Sequence, residues 1–149
     1  IDRSRGLGDV YKRQDEAYLD AMLDAAGDPE RLVWHRALDA SKDALSDARV
    51  LLDNGVRAVL TSGGAIRAVE GSARIESFID LGMKVIAGGG VKPEDVATLA
   101  ALGVEAVHAS CRSTTRIDAS PLFDTAVHLV DYEKVCALVD ACESWKFDE

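Results

Sequence analysis

Residues 84–99, KVIAGGGVKPEDVATL, decide the fold. A short apolar run, Val85-Ile86-Ala87, meets three glycines, Gly88-Gly89-Gly90, and then a helix start. Pro93 suits the first turn of a helix, because its missing N–H would have no partner there and its φ is already helical. Glu94 and Asp95 stand where the positive end of the helix dipole favours acids. The stretch therefore predicts strand, bare backbone, helix.

The same junction recurs on both sides. DNGVRAVLTSGG (53–64), DLGMKVIAGGG (80–90) and ALGVEAVHASCR (101–112) each run from a helix end through a glycine into a short β-rich segment. Gly55, Gly82 and Gly103 suit a left-handed helix C-cap. An earlier unit, DEAYLDAMLDAAGDPERLVWHRALD (15–39), keeps the order of helix, Gly27, strand. Short apolar runs such as RAVL, KVIA and EAVH predict strands covered on both faces. Repeated strand-helix units predict an α/β fold with a parallel sheet. The predicted strands are 31–36, 57–61, 84–87 and 105–109. Pro121 predicts an irregular connection, and AVHLV (126–130) a fifth strand. Asp131 can cap a last helix over YEKVCALVDACESW (132–145), where Val135, Leu138 and Val139 recur at helical spacing.

At 149 residues and 48% hydrophobic the chain carries enough apolar content for one core. A net charge of -9, spread along the chain, argues against nucleic acid or an anionic membrane as partner, since both require a basic face. No apolar stretch approaches the ~20 residues of a membrane span. Cys111, Cys136 and Cys142 are odd in number and form no CxxC, which fits a reducing cytoplasm. The opening IDRSRGLGDVYKRQ (1–14) is locally basic, begins at Ile1 and lacks an amphipathic period, so it reads as a non-native leader before a domain over 15–149.

The chemistry-bearing residues gather at the strand ends, in HRALD, TSGG, GGG and HASCR. Parallel α/β folds bind ligands there, where loops and helix N-termini converge. Backbone N–H groups of Gly63, Gly64, Gly88, Gly89 and Gly90, with the hydroxyls of Thr61, Ser62 and Ser110, are candidates to hold a small anion. Arg36 or Arg112 would supply charge, and His35 or His108 would move a proton, with Asp39 close by on the chain. Strand alternation places His35 and Arg36 on opposite faces, and puts His108, Ser110 and Arg112 on one face with Cys111 on the other. The competing reading makes these residues the polar plug of a small barrel.

Metal ligation draws on fewer residues. Cys136 and Cys142 lie ~240° apart around one helix and cannot chelate together. Met22 and Met83 read as core filler. His35, His108 and Cys111 remain as candidate ligands.

VWHRALD (33–39), VLTSGG, VIAGGGV and VHASCR, in this order and at this spacing, resemble the CutC family of copper homeostasis proteins. The likeness runs from about residue 16 to 142. Trp34 and Leu38 stand where that family has phenylalanine, and Cys111 where it has alanine. The resemblance implies a TIM (β/α)8 barrel, a cytoplasmic protein and copper as cofactor. A complete barrel takes ~250 residues, so 15–149 would be the C-terminal part of one, with about four βα units. Such a half-barrel leaves open strand edges, so alone it should be marginal, aggregated, or rescued by a second copy in a homodimer. Two functions stay open: copper binding, and an enzyme or binder for a phosphorylated or carboxylate ligand.

Overall fold

The computed structural model describes the backbone of residues 16–120 and 123–146, and the side chains of 18–114 and 127–145. The opening segment 1–14 and the Pro121 connection lie outside the described residues.

Four strands form one parallel sheet in sequence order: β1 (Val33–Trp34), β2 (Ala58–Thr61), β3 (Lys84–Gly88) and β4 (Ala106–His108). Helix α1 (Glu16–Ala26) precedes β1, and α2 (Ala44–Asp53), α3 (Ser72–Asp80) and α4 (Val96–Ala101) separate the strands. The register aligns Trp34 with Val59, Val59 with Val85, and Ala87 with Val107. Gly55, Gly82 and Gly103 all have positive φ just beyond their helices, as the C-cap reading expects.

The core sits between this sheet and the helices. Val59, Val85 and Ala87 are buried in one cluster with Leu51 of α2, Ile75 and Phe78 of α3 and Leu99 of α4. Fully burying a side chain such as Phe78 or Leu99 contributes about 1.5–3 kcal/mol. The alternate residues Ala58, Leu60 and Ile86 are only half-buried. Contrary to the expectation of strands covered on both faces, helices seal one face and the other stays partly open.

Strand β1 is shorter than the predicted 31–36. Asp28 caps a 3-10 turn at Pro29–Arg31 by accepting the Glu30 N–H at 3.1 Å. His35 Nδ1 accepts the Ala37 N–H at 3.1 Å and starts a second 3-10 turn, Arg36–Ala40. These local bonds offer the backbone an alternative to the sheet ladder on both sides of β1. His35 and Arg36 are therefore beyond the strand, and the alternation that separated their faces does not apply.

The apolar run AVHLV does form strand, within β6 (Phe123–Val130), but outside the parallel sheet. It pairs antiparallel with β5 (Arg112–Ser120) as a separate two-stranded sheet. Helix α5 (Tyr132–Lys146) follows. Asp131 caps it as predicted, accepting from Glu133 N–H at 3.1 Å and Lys134 N–H at 3.3 Å.

Candidate functional site

The ends of β1 and β2 converge on one carboxylate. Asp39, on the 3-10 turn after β1, accepts from Arg36 Nε at 2.9 Å and from the Ser62 N–H at 3.1 Å through Oδ2. Its Oδ1 accepts from the Thr61 hydroxyl and from the Gly64 N–H, the latter at 3.1 Å. Arg36 Nη2 donates to Ser62 Oγ at 2.8 Å. That oxygen lies 3.0 Å from Asp39 Oδ2 and 2.7 Å from Ala65 O, one of which takes its single proton. Gly63 N–H is held by Thr61 Oγ1 at 2.9 Å. Burial pushes the Asp39 carboxyl up, but the bonds from Thr61, Arg36 and Ser62 outweigh it and hold it below the ordinary carboxylate value.

Thr61, Ser62 and the Gly64 N–H thus hold the chain's own Asp39, while the Gly63 N–H is taken by Thr61. Gly63 has no room for a side chain, and at Gly64 one would have to displace the Arg74 guanidinium. A Cβ on Gly63 would lie 2.2 Å from Gly71 O, and one on Gly64 2.3 Å from an Arg74 guanidinium nitrogen.

The triple glycine is braced by a pair that composition and spacing do not flag. Arg67 Nη2 reaches Asp95 Oδ1 at 2.9 Å and Oδ2 at 2.7 Å, and Asp95 also accepts the Lys92 N–H at 2.9 Å. Gly89 O accepts the Ala68 N–H at 2.8 Å. Asp95 was legible only as an acid at a helix start, and nothing near Arg67 marks it as its partner. Gly88 gives close approach instead: a Cβ there would lie 2.6 Å from Leu60 Cδ1 and 3.4 Å from His108 Cβ. A Cβ on Gly89 would meet Arg36 Nη1 at 3.3 Å, so the guanidinium lies against this loop.

His108 pairs with Gly88 in the ladder and shares its half-open face. Past His108 the predicted alternation fails. Strand β4 ends there, and Cys111 takes φ +46, the only positive value among non-glycine residues described. Cys111 O accepts the Asp131 N–H at 2.8 Å, and the chain turns into β5 at Arg112. Ser110, Cys111 and Arg112 line a cleft of about 350 Å³ with Gly90 and Lys134, and His108 is not among its lining residues.

Copper(I) needs converging soft donors, thiolate, thioether or imidazole. His35 Nδ1 is engaged at a helix cap, and its ring stacks on Trp34 with a 4° interplanar angle. His108 faces Gly88, while Cys111 lines the cleft. Among the described residues no three His, Cys, Asp or Glu side chains group closely enough to hold a metal ion. His35, His108 and Cys111 therefore belong to no described three-ligand group.

The sequence profile of the CutC family matches residues 6–113. The chain belongs to the CutC family. A CutC family protein of Citrobacter koseri is 36% identical over 107 residues, covering 70% of this chain and 43% of the relative. One from Caulobacter vibrioides is 32% identical over 80 residues, covering 51% and 33% respectively. The crystal structure of a CutC protein from Streptococcus agalactiae, named for copper homeostasis, superposes with a TM-score of 0.57 at 24% identity. It covers 64% of this chain and 49% of that one. That likeness shows the fold: the four parallel strands with their helices are part of a TIM barrel. The chain spans less than half the length of these CutC relatives. The family match ends at Ser113, where β5 has just begun.

Proposed function

We propose that this part of the CutC barrel binds a small phosphorylated or carboxylate ligand at the carboxyl ends of its strands. One observation carries the reading. Arg36 is fixed by Asp39 and Ser62 with its guanidinium against Gly89, and its side chain remains 46% exposed. A cation held in place beside bare backbone loses little freedom when an anion arrives, and a guanidinium can present two parallel donors. Gly89 and Gly90, at least partly exposed, would offer backbone to the ligand, and His108 would be the group to move a proton.

The test is a titration with inorganic phosphate at matched ionic strength, followed by calorimetry and thermal melting. Saturation at ~100 times the dissociation constant should stabilise the fold by about 2.7 kcal/mol. Arg36→Ala should weaken binding by about 1.5–3 kcal/mol, the worth of a charge-assisted hydrogen bond. Equal affinity in the two proteins would sink the proposal.

A second reading, copper handling, is supported by the name of the Streptococcus agalactiae relative. Its candidate ligands are His35, His108 and Cys111, and a cytoplasmic setting goes with it, supported by three free cysteines. Titration with Cu(I) against a competing chelator tests it. Stoichiometric binding lost in Cys111→Ser or His108→Ala would favour copper over the anion.

A further inference from the structure

We infer that the cleft between the Gly90–Glu94 loop, the Ala109–Arg112 turn and α5 is a second binding site, for an organic anion with an apolar body. It goes beyond the ligand seat at Arg36, because Arg36 is not among its lining residues. Its volume, about 350 Å³, lies at the lower end of small-molecule pockets.

The charge of the lining runs against the charge of the chain. The protein is acidic, at -9, yet Lys92, Arg112 and Lys134 line the cleft with Glu94 as the one carboxylate of the lining, while Asp131 lies 4.0 Å from Lys134 and leaves Arg112 as the main unpaired charge. The other arginines at the strand ends each have a carboxylate partner, Asp39 for the half-exposed Arg36 and Asp95 for Arg67. Arg112 differs. Among the described residues its guanidinium has no hydrogen bond or ion pair, and the residue is exposed. Lys92 meets Glu94 at only 3.7 Å with both side chains largely in solvent, a pair worth little. An anion entering here finds a guanidinium that exchanges nothing but water for the new contact.

The cleft is also fixed in shape. Lys134 Nζ donates to Arg112 O and to Ser113 Oγ, each at 3.0 Å, which ties α5 to the start of β5. The Asp131 N–H to Cys111 O bond closes the turn behind it. Val91, Pro93 and Leu138 supply apolar wall, with Val91 buried. Cations above an apolar wall suit a phosphate monoester or carboxylate carried on a ring or short aliphatic body. A bare inorganic anion would leave that wall wet.

The test compares phenyl phosphate with inorganic phosphate on the full chain, by calorimetry and by amide shifts in two-dimensional NMR. Phenyl phosphate should bind at least about tenfold more tightly than phosphate, and Arg112→Ala should weaken it about tenfold, the loss of one charge-assisted bond. Binding at the cleft itself, read from the amide shifts of Cys111, Arg112 and Lys134, should be the same in Arg36→Ala, whatever that variant does to a second ligand at the strand ends. In the parent protein the shifts should centre on Cys111, Arg112 and Lys134, a readout that requires no variant to fold. Phenyl phosphate binding that is lost in Arg36→Ala but intact in Arg112→Ala would overturn this site while leaving the strand-end reading standing. Equal affinity for the two phosphates, or shifts centred on Gly88 and Gly89, would overturn it as well. If phosphate ignores Arg36→Ala while phenyl phosphate responds to Arg112→Ala, the strand-end reading fails and the cleft stands.

Discussion

The Ser62 N–H donates to Asp39 Oδ2 at 3.1 Å, joining residues 23 apart in sequence. The loop after β2 therefore closes on a carboxylate from the turn after β1, and Arg36 is aimed by the same carboxylate. Thr61 and Ser62 are fully buried, so their hydroxyls have no recourse to water if Asp39 is lost. Asp39→Ala should destabilise the chain by about 2–4 kcal/mol, since it strands several buried donors and unpairs a cation that is itself half in solvent. Asp39→Asn keeps one acceptor oxygen and should cost about half as much. Urea unfolding with an unchanged slope is the measurement. A loss in Asp39→Ala below about 0.5 kcal/mol, the scatter of ordinary surface substitutions, would show that the hub does not hold the loops.

The same carboxylate sets a pH dependence of known sign. Its folded value lies below the ordinary 3.8, so the unfolded chain takes up the proton first as pH falls. The stabilisation is fully present above about pH 4 to 5 and disappears as pH drops through the folded value, at up to 1.36 kcal/mol per pH unit for one proton. Asp131, held low by the Ser113 hydroxyl and the Lys134 N–H, adds in the same direction. Stability measured from pH 7 down to pH 2 should fall on the acid side. Asp39→Asn should flatten that limb. An unchanged acid limb in Asp39→Asn would assign it to other carboxylates.

Two glycines that both have positive φ should respond very differently to alanine. Gly82 has φ +96 with no atom within 4 Å of a Cβ, so Gly82→Ala meets only the left-handed backbone penalty, about 1–2 kcal/mol. Gly63 has φ +66, and its Cβ would lie 2.2 Å from the carbonyl of Gly71, which is backbone and cannot swing aside. Gly63→Ala should cost more than about 3 kcal/mol, because overpacking adds to the backbone penalty. Gly71 offers no relief, since a Cβ there would meet Ser62 O at 2.0 Å. Chemical denaturation of the two variants side by side decides the order, and equal losses would mean that the loop opens at Gly63.

Strands β2, β3 and β4 were legible because each is a short apolar run between a glycine helix cap and a polar loop. The ends of β1 were not, because His35 and Asp28 act there as caps, and a cap competes with a ladder through one side-chain bond that period-two reasoning ignores. Strand β5, RSTTRIDAS, opens with five polar residues and has only Ile117 and Ala119 as apolar positions, too short a pattern to mark a strand, so only its partner β6 left a trace. At the site, residue type suggested that TSGG would face a small external anion, whereas Thr61 and Gly64 donate to Asp39, 22 and 25 residues upstream, a partner that spacing cannot supply. Cys111 hides its role for a related reason. Its positive φ is unusual for a side-chain-bearing residue, and nothing in HASCR announces that the strand has already ended.

The pairing of Arg67 with Asp95 gives the last expectation. Asp95 is buried at 7% exposure, and a single Arg67 nitrogen reaches both of its oxygens. Arg67→Ala leaves that carboxylate with the Lys92 N–H as its remaining described donor and should cost about 2–3 kcal/mol, less than a fully buried pair because Arg67 is 32% exposed. Arg67→Lys should retain most of the stability, since one ammonium can sit between two oxygens. What lysine cannot reproduce is the second reach, from Arg67 Nε to Gly90 O at 3.5 Å. Removing both partners in Arg67→Ala/Asp95→Asn should cost less than the sum of the single losses by about 1–3 kcal/mol, the coupling of neighbours in one network. Additive losses would place the bracing of the glycine loop elsewhere. Amide exchange gives an independent check. The Ala68 N–H, bonded to Gly89 O at 2.8 Å, should exchange faster in Arg67→Ala than in Arg67→Lys if this pair holds the loop closed.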